Sequence, residues 1–271
     1  MTIAARALAF GYPGRPVGRG LDVALAQGEV LCVLGPNGSG KTTLFRTLLG
    51  LLPALGGMVS VDGRDLATLS RAEIARRVAY VPQASGDYFD WSLLEMVEMG
   101  RTAHRSAFAR PGKRDRDIAM ASLERLGIAA LAQRPVGEVS GGERQLAIIA
   151  RALATEARVL VMDEPTANLD FANQSRVLGE VARLGAAGIA VLLCTHDPDH
   201  AFQVADRALL LRAGESIALD AVGMALTAEN LTRLYGVAVD VVEAQTSAGP
   251  RRLAIPNPAT GASSLRLPHV A

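Results

Sequence analysis

The residues best suited to chemistry lie between Val30 and Thr43. A short apolar run, Val30 to Leu34, breaks into Gly35-Pro36-Asn37-Gly38-Ser39-Gly40-Lys41-Thr42-Thr43, and apolar residues then return at helical spacing through Leu49. That order predicts a strand, a glycine-rich loop and a helix. Glycines let the backbone wrap a di- or triphosphate, so that successive N–H groups and the start of the helix face its oxygens. Lys41 is expected to reach the terminal phosphates, and the Thr42 hydroxyl to complete the shell of a magnesium ion. A dinucleotide-binding loop would need neither this lysine nor the hydroxyl beside it, which disfavours that alternative.

Other apolar runs end in polar residues that a doubly wound sheet would gather on the same ligand-binding edge. Val78 to Val81 leads to Pro82-Gln83, a position for a ligand to magnesium or to an attacking water, or for an ordinary surface amide. Val159 to Met162 ends in Asp163-Glu164. Asp163 would hold the magnesium shell, and Glu164 would act as general base or position the water. Consecutive strand side chains point to opposite faces, so both carboxylates reach one site only if the backbone turns at the strand exit. Ile189 to Cys194 ends at Thr195-His196-Asp197, with His196 placed to donate to a γ-phosphate. Near the N-terminus, Ile3 to Phe10 and Leu21 to Leu25 read as antiparallel strands around a Tyr12-Pro13-Gly14 turn. Tyr12 there is either an adenine-stacking aromatic or a plain turn residue.

A second anion cradle stands at Ser140-Gly141-Gly142-Glu143, where a hydroxyl and two glycines precede a helix expected over 143–154. One nucleotide needs one cradle. Two cradles act on one nucleotide if a second copy faces the first head to tail, and Asn168-Leu169-Asp170 is a tight turn able to touch that copy.

The elements that must position these groups are legible in outline. Ser70 with Glu73, and Ser92 with Glu95, resemble capping boxes opening helices. Residues 84–138 differ in kind: Asp87-Tyr88-Phe89-Asp90-Trp91 clusters aromatics, and 101–117 carries a local basic excess that is either a partner-docking face or solvated charge. A helix follows over 115–126, and others over 172–184 and 226–235. Beyond Glu243 the chain reads as a short apposed strand and a mobile tail without chemistry. With 271 residues and 49% apolar content, one or two domains can form. A net charge of +1 gives no basic signature for nucleic acid. No uncharged apolar run reaches about eighteen residues, and MTIAARALAF lacks the pattern of a signal peptide. Cys32 and Cys194 sit in apolar runs, where buried reduced thiols are expected.

Taken as an ordered set, these residues resemble the nucleotide-binding subunit of ATP-binding cassette (ABC) transporters over roughly residues 3–243. GPNGSGKT at 35–42 matches the phosphate loop, Gln83 the glutamine loop and SGGERQ at 140–145 the signature. VLVMDE at 159–164 matches the magnesium strand with its catalytic glutamate, NLD at 168–170 the interfacial loop, His196 the switch histidine and Tyr12 the adenine-stacking aromatic. The resemblance implies an α/β fold: a RecA-like P-loop NTPase core, an N-terminal antiparallel β subdomain and a helical signature subdomain inserted at about 84–155. Residues 1–243 would form the nucleotide-binding domain and 244–271 a short extension. It further implies ATP and Mg2+ as ligands and two subunits closing head to tail, with Ser140, Gly141, Gly142, Glu143 and Asp170 serving the opposite copy's nucleotide. The partners would be two transmembrane permease subunits and, through them, a periplasmic or surface binding protein, at the cytoplasmic face of the inner membrane. Gly100-Arg101-Thr102, the stretch to Asp117 and Leu226 to Val237 resemble importers of iron-siderophores, haem and cobalamin, while residues 169–174 and 195–201 resemble members assigned to molybdate or tungstate. An exporter subunit or a soluble ABC protein is the alternative.

Overall fold

The N-terminal strand β1 (Ile3–Tyr12) pairs antiparallel with β2 (Arg15–Leu25) across the Tyr12 turn. The weak alternation of this segment has a local cause. The register shifts between Ala5 and Leu8, where Ala7 takes φ +45° and its N–H donates to Asp22 Oδ1 at 2.8 Å. This is a β-bulge, which breaks the two-residue period. The structure is a computed structural model that describes residues 2–83, 90–106, 109–247 and 249–257.

β3 (Val30–Leu34) leads through the glycine-rich loop into α1 (Lys41–Leu48). β4 (Gly56–Val61) and β5 (Arg64–Asp65) form a hairpin around Asp62-Gly63, both at positive φ, as a two-residue hairpin turn requires. They complete a four-stranded antiparallel sheet in the order β2-β1-β4-β5. Helix α2 (Arg71–Ala75), opened by the Ser70–Glu73 capping box, precedes β6 (Val78–Val81).

α3 (Leu93–Glu98), α4 (Lys113–Arg125) and α5 (Gly141–Leu153) pack on one another. Arg101, only 4% exposed, ties this cluster: it donates to the Ala154 carbonyl and to Glu156 Oε2, each at 2.7 Å, and pairs with Asp115 at 3.3 Å. His104 Nε2 lies 2.8 Å from the Thr155 carbonyl. These two residues of the basic stretch therefore form an internal clasp, with Arg101 buried and His104 exposed. The aromatics Tyr88 and Phe89 lie outside the described residues.

β7 (Val159–Asp163), α6 (Phe171–Ala186), β8 (Ala190–Thr195), α7 (Pro198–Val204), β9 (Arg207–Arg212) and β10 (Glu215–Ala221) complete a six-stranded sheet in the order β10-β9-β3-β8-β7-β6. Strands β9, β3, β8, β7 and β6 run parallel, so the carboxyl ends of β3, β6, β7 and β8 open on the same edge. All five residues of β3 are buried, Val30, Cys32 and Leu34 in one core and Leu31 and Val33 in the other. Burial on both faces accounts for the continuous apolar run. The two cysteines are free and buried.

The helix expected over 226–235 is α9 (Ala228–Tyr235), which starts two residues later because Thr227 caps it by accepting from Asn230 N–H, and a short helix α8 (Val222–Ala225) precedes it. Beyond it, β11 (Val239–Thr246) and β12 (Gly249–Pro256) pair as an antiparallel hairpin, so Glu243 lies inside a strand. Residues 258–271 lie outside the described set. Among the described residues, no helix is long and apolar enough to cross a membrane.

Candidate functional site

A cleft of about 520 Å³ opens at the carboxyl edge of the parallel sheet, lined by Tyr12, Arg15, Val17, Asn37, Gly38, Ser39, Gly40, Lys41, Thr42, Thr43, Gln83, Asp163 and Glu164. Gly38 and Gly40 hold φ of +79° and +102°, a left-handed backbone that side chains resist. A Cβ on Gly35 would stand 2.2 Å from the Leu211 carbonyl oxygen, so the loop passes where only glycine fits. Lys41 is 6% exposed, and its Nζ donates to the carbonyls of Gly35 at 2.6 Å and Pro36 at 3.3 Å.

The two consecutive carboxylates share the cleft because the backbone leaves the strand between them. Glu164 takes φ +46°, a costly conformation for a non-glycine residue, and its N–H donates to the Cys194 carbonyl at 3.2 Å. Its Oε1 lies 3.7 Å from Lys41 Nζ and its Oε2 3.4 Å from His196 Nδ1. Asp163, 6% exposed, is held from both sides: the Tyr80 hydroxyl donates to Oδ2 at 3.3 Å and the Cys194 thiol to Oδ1 at 2.8 Å. Burial, and then the neighbouring Asp163 charge, push the pKa of both donors upward, which keeps their protons in place. Gln83 is exposed at the end of β6 and faces the same cleft.

Tyr12, 40% exposed, stands at the rim, its hydroxyl accepting from Arg46 Nη1 at 3.3 Å. Sequence reasoning missed Arg15, although it pairs directly with Tyr12 across the turn and so had to emerge on the same rim. It also missed Tyr80 and Cys194, whose positions on β6 and β8 flank Asp163 on β7 only once strand order is known.

Ser140, Gly141, Gly142, Glu143 and Asp170 do not line this cleft. Ser140 caps α5, accepting from Glu143 N–H at 3.3 Å while its hydroxyl and its own N–H donate to Glu143 Oε2 at 2.8 and 2.9 Å. These donors hold the Glu143 pKa below the usual carboxylate value, the backbone N–H being the larger cause. Gly142 abuts Asn173, where a Cβ would meet Oδ1 at 2.1 Å, and Asp170 caps α6 by accepting from Asn173 N–H at 2.8 Å.

The cleft fits a magnesium nucleotide on its own geometry. Among the described residues Ser39 Oγ is buried without a partner, and the first-turn amides of α1 have no acceptor within the helix. Among the described residues no three His, Cys, Asp or Glu side chains cluster as a metal site. Asp163 offers a carboxylate to the cleft, and magnesium takes one or two carboxylates and completes its shell with phosphate and water.

A family profile described as ABC transporter matches residues 19–167, more than half of the chain. The chain belongs to the ABC transporter family. It is an ATPase of that family, with ATP and magnesium as its ligands. It is 41% identical over 235 residues to an uncharacterised ABC transporter ATP-binding protein of Haemophilus influenzae, covering 87% of this chain and 89% of the relative. It is 40% identical over 244 residues to the hemin import ATP-binding protein HmuV of Myxococcus xanthus, covering 88% and 90%. A solved inward-facing transporter of metal-chelate type superposes with a TM-score of 0.85 at 32% identity, covering 96% of this chain and 98% of that one. The α/β fold, with its RecA-like core and added β and helical parts, is thus that of ABC ATPases.

Proposed function

We propose that this chain is the ATP-hydrolysing subunit of an importer for a metal chelate, such as siderophore-bound iron, haem or cobalamin, or for molybdate or tungstate. Two copies would close head to tail on two nucleotides, seated on two permease subunits that receive cargo from a binding protein. The observation that carries the catalytic part is the place of Glu164 in the cleft, with Lys41 Nζ 3.7 Å from one carboxylate oxygen and His196 Nδ1 3.4 Å from the other. The importer reading is supported by the hemin-import relative and by the metal-chelate-type neighbour, each matched over most of its length.

Tyr12 stacks on the base, steadied by Arg46. Lys41 leaves its carbonyl acceptors for the terminal phosphates, and the amides of 38–43 receive the phosphate oxygens. Thr42, Asp163 and Gln83 would hold magnesium, which when bound would supply positive charge beside the phosphates. Glu164, released from Lys41, takes a proton from the attacking water, and His196 beside it donates to the γ-phosphate. Ser140, Gly141, Gly142 and Glu143 of each copy complete the other's cleft, with Asp170 at the seam.

The test is purification of tagged protein from detergent-solubilised native membranes, with partner identification, followed by ATPase and uptake assays in proteoliposomes. A polytopic permease whose binding protein carries a metal chelate or oxyanion is the expected result. Recovery of soluble partners only, or of a binding protein for sugars or amino acids, would contradict the importer reading.

A further inference from the structure

We infer that the C-terminal segment, helix α9 with the β11–β12 hairpin, positions His196, and that Tyr235 is the positioning residue. The inference rests on the reading of His196 as the group that faces the terminal phosphate. His196 is 61% exposed on its side chain, so packing of the imidazole does not fix it. The tie acts on its backbone: the Tyr235 hydroxyl donates to the His196 carbonyl at 2.8 Å from 39 positions away. Burial raises the Tyr235 pKa, so the phenol keeps the proton it donates. Because the bond is made to the carbonyl, both ring nitrogens stay available for Glu164 and for a phosphate oxygen.

A second tie lies three residues on. The Ala254 N–H of β12 donates to Asp199 Oδ1 at 2.8 Å, holding the start of α7 directly after the histidine. The holding segment is itself anchored. Leu231 and Leu234 of α9 are buried, Gly236 ends the helix at φ +75°, and Val239 N–H donates to Thr232 Oγ1 at 3.1 Å, joining α9 to β11. Packed or hydrogen-bonded groups of α9 and of the paired strands β11 and β12 therefore link the core to the histidine loop. The sequence assigned no chemistry to the end of this segment; the structure assigns it control of where the imidazole stands.

The test combines Tyr235→Phe, His196→Ala and the double variant, assayed for ATP turnover and for the histidine ring resonances of 15N-histidine-labelled full-length protein. Loss of one hydrogen bond of this kind is expected to lower kcat about five- to tenfold while KM changes by less than about twofold. The His196 ring resonances should shift and those of His104 should stay, and Tyr235→Phe should add nothing in the His196→Ala background. Asp199→Ala, which removes the acceptor of the second tie and leaves α9 intact, should shift the same resonances by less. Equal losses in both backgrounds, or unmoved His196 resonances in correctly folded Tyr235→Phe protein, would overturn the inference. Full turnover by His196→Ala would instead remove the histidine from the chemistry, and the ring resonances would then decide the contact alone.

Discussion

The glycine-rich loop and the signature segment both place a small hydroxyl residue beside the start of a helix, and they use it in opposite ways. At the first, Ser39 Oγ is buried with no partner among the described residues and the neighbouring amides face an open cleft. At the second, Ser140 is exposed, yet its hydroxyl and amide are both engaged by Glu143. Unsatisfied buried donors are costly, so the first site is held open for a ligand that satisfies them. The second is stable without one. The first therefore carries its own chemistry, and the second is a finished surface presented outward.

The variant expected to have the largest effect tests the first region. Glu164→Gln keeps the size of the side chain and removes the proton acceptor; turnover measured with radiolabelled ATP should fall by about a hundredfold or more, with nucleotide binding retained. Near-normal turnover would take the base out of this cleft. Tyr12→Ala removes the stacking face, and the Kd for a fluorescent ATP analogue should rise about three- to tenfold with little change in maximal turnover. An unchanged Kd would return Tyr12 to an ordinary turn aromatic.

The smallest effect belongs to the second region. Glu143 has a lowered pKa in the folded chain, so its contribution to stability is complete above the unfolded value of 4.5 and is lost as pH falls through the depressed folded value. The protection factor of the Ser140 amide, which donates to Glu143 Oε2, should therefore fall below pH 4.5, and Glu143→Ala should show the reduced protection already at neutral pH. Identical protection in the two proteins at neutral pH would mean that the capping box does not hold this helix start.

Most of the site was legible because its residues sit where a periodic pattern stops. Gly35 to Thr42, Gln83, Asp163-Glu164 and His196 each follow an apolar run, and parallel pairing forces such ends to one edge. What stayed hidden depends on contacts far apart in sequence. Nothing local in Arg101 reveals that it reaches Ala154 and Glu156, and nothing in Tyr235 reveals His196. The hairpin at 239–256 was read only in part because much of both strands is exposed, which leaves little apolar alternation to read. The positive φ at Glu164, which lets two neighbouring carboxylates share a cleft, also has no signature in residue type.

In the proposed dimer, the signature of a second copy completes each cleft. Its most direct test is sedimentation of Glu164→Gln protein with and without magnesium-ATP, alone and combined with Ser140→Arg. The 28.4 kDa chain should double in mass when ATP is added, and the double variant should bind ATP yet remain monomeric. A Glu164→Gln protein saturated with ATP that stays monomeric, or a Ser140→Arg combination that dimerises as well as its parent, would contradict it.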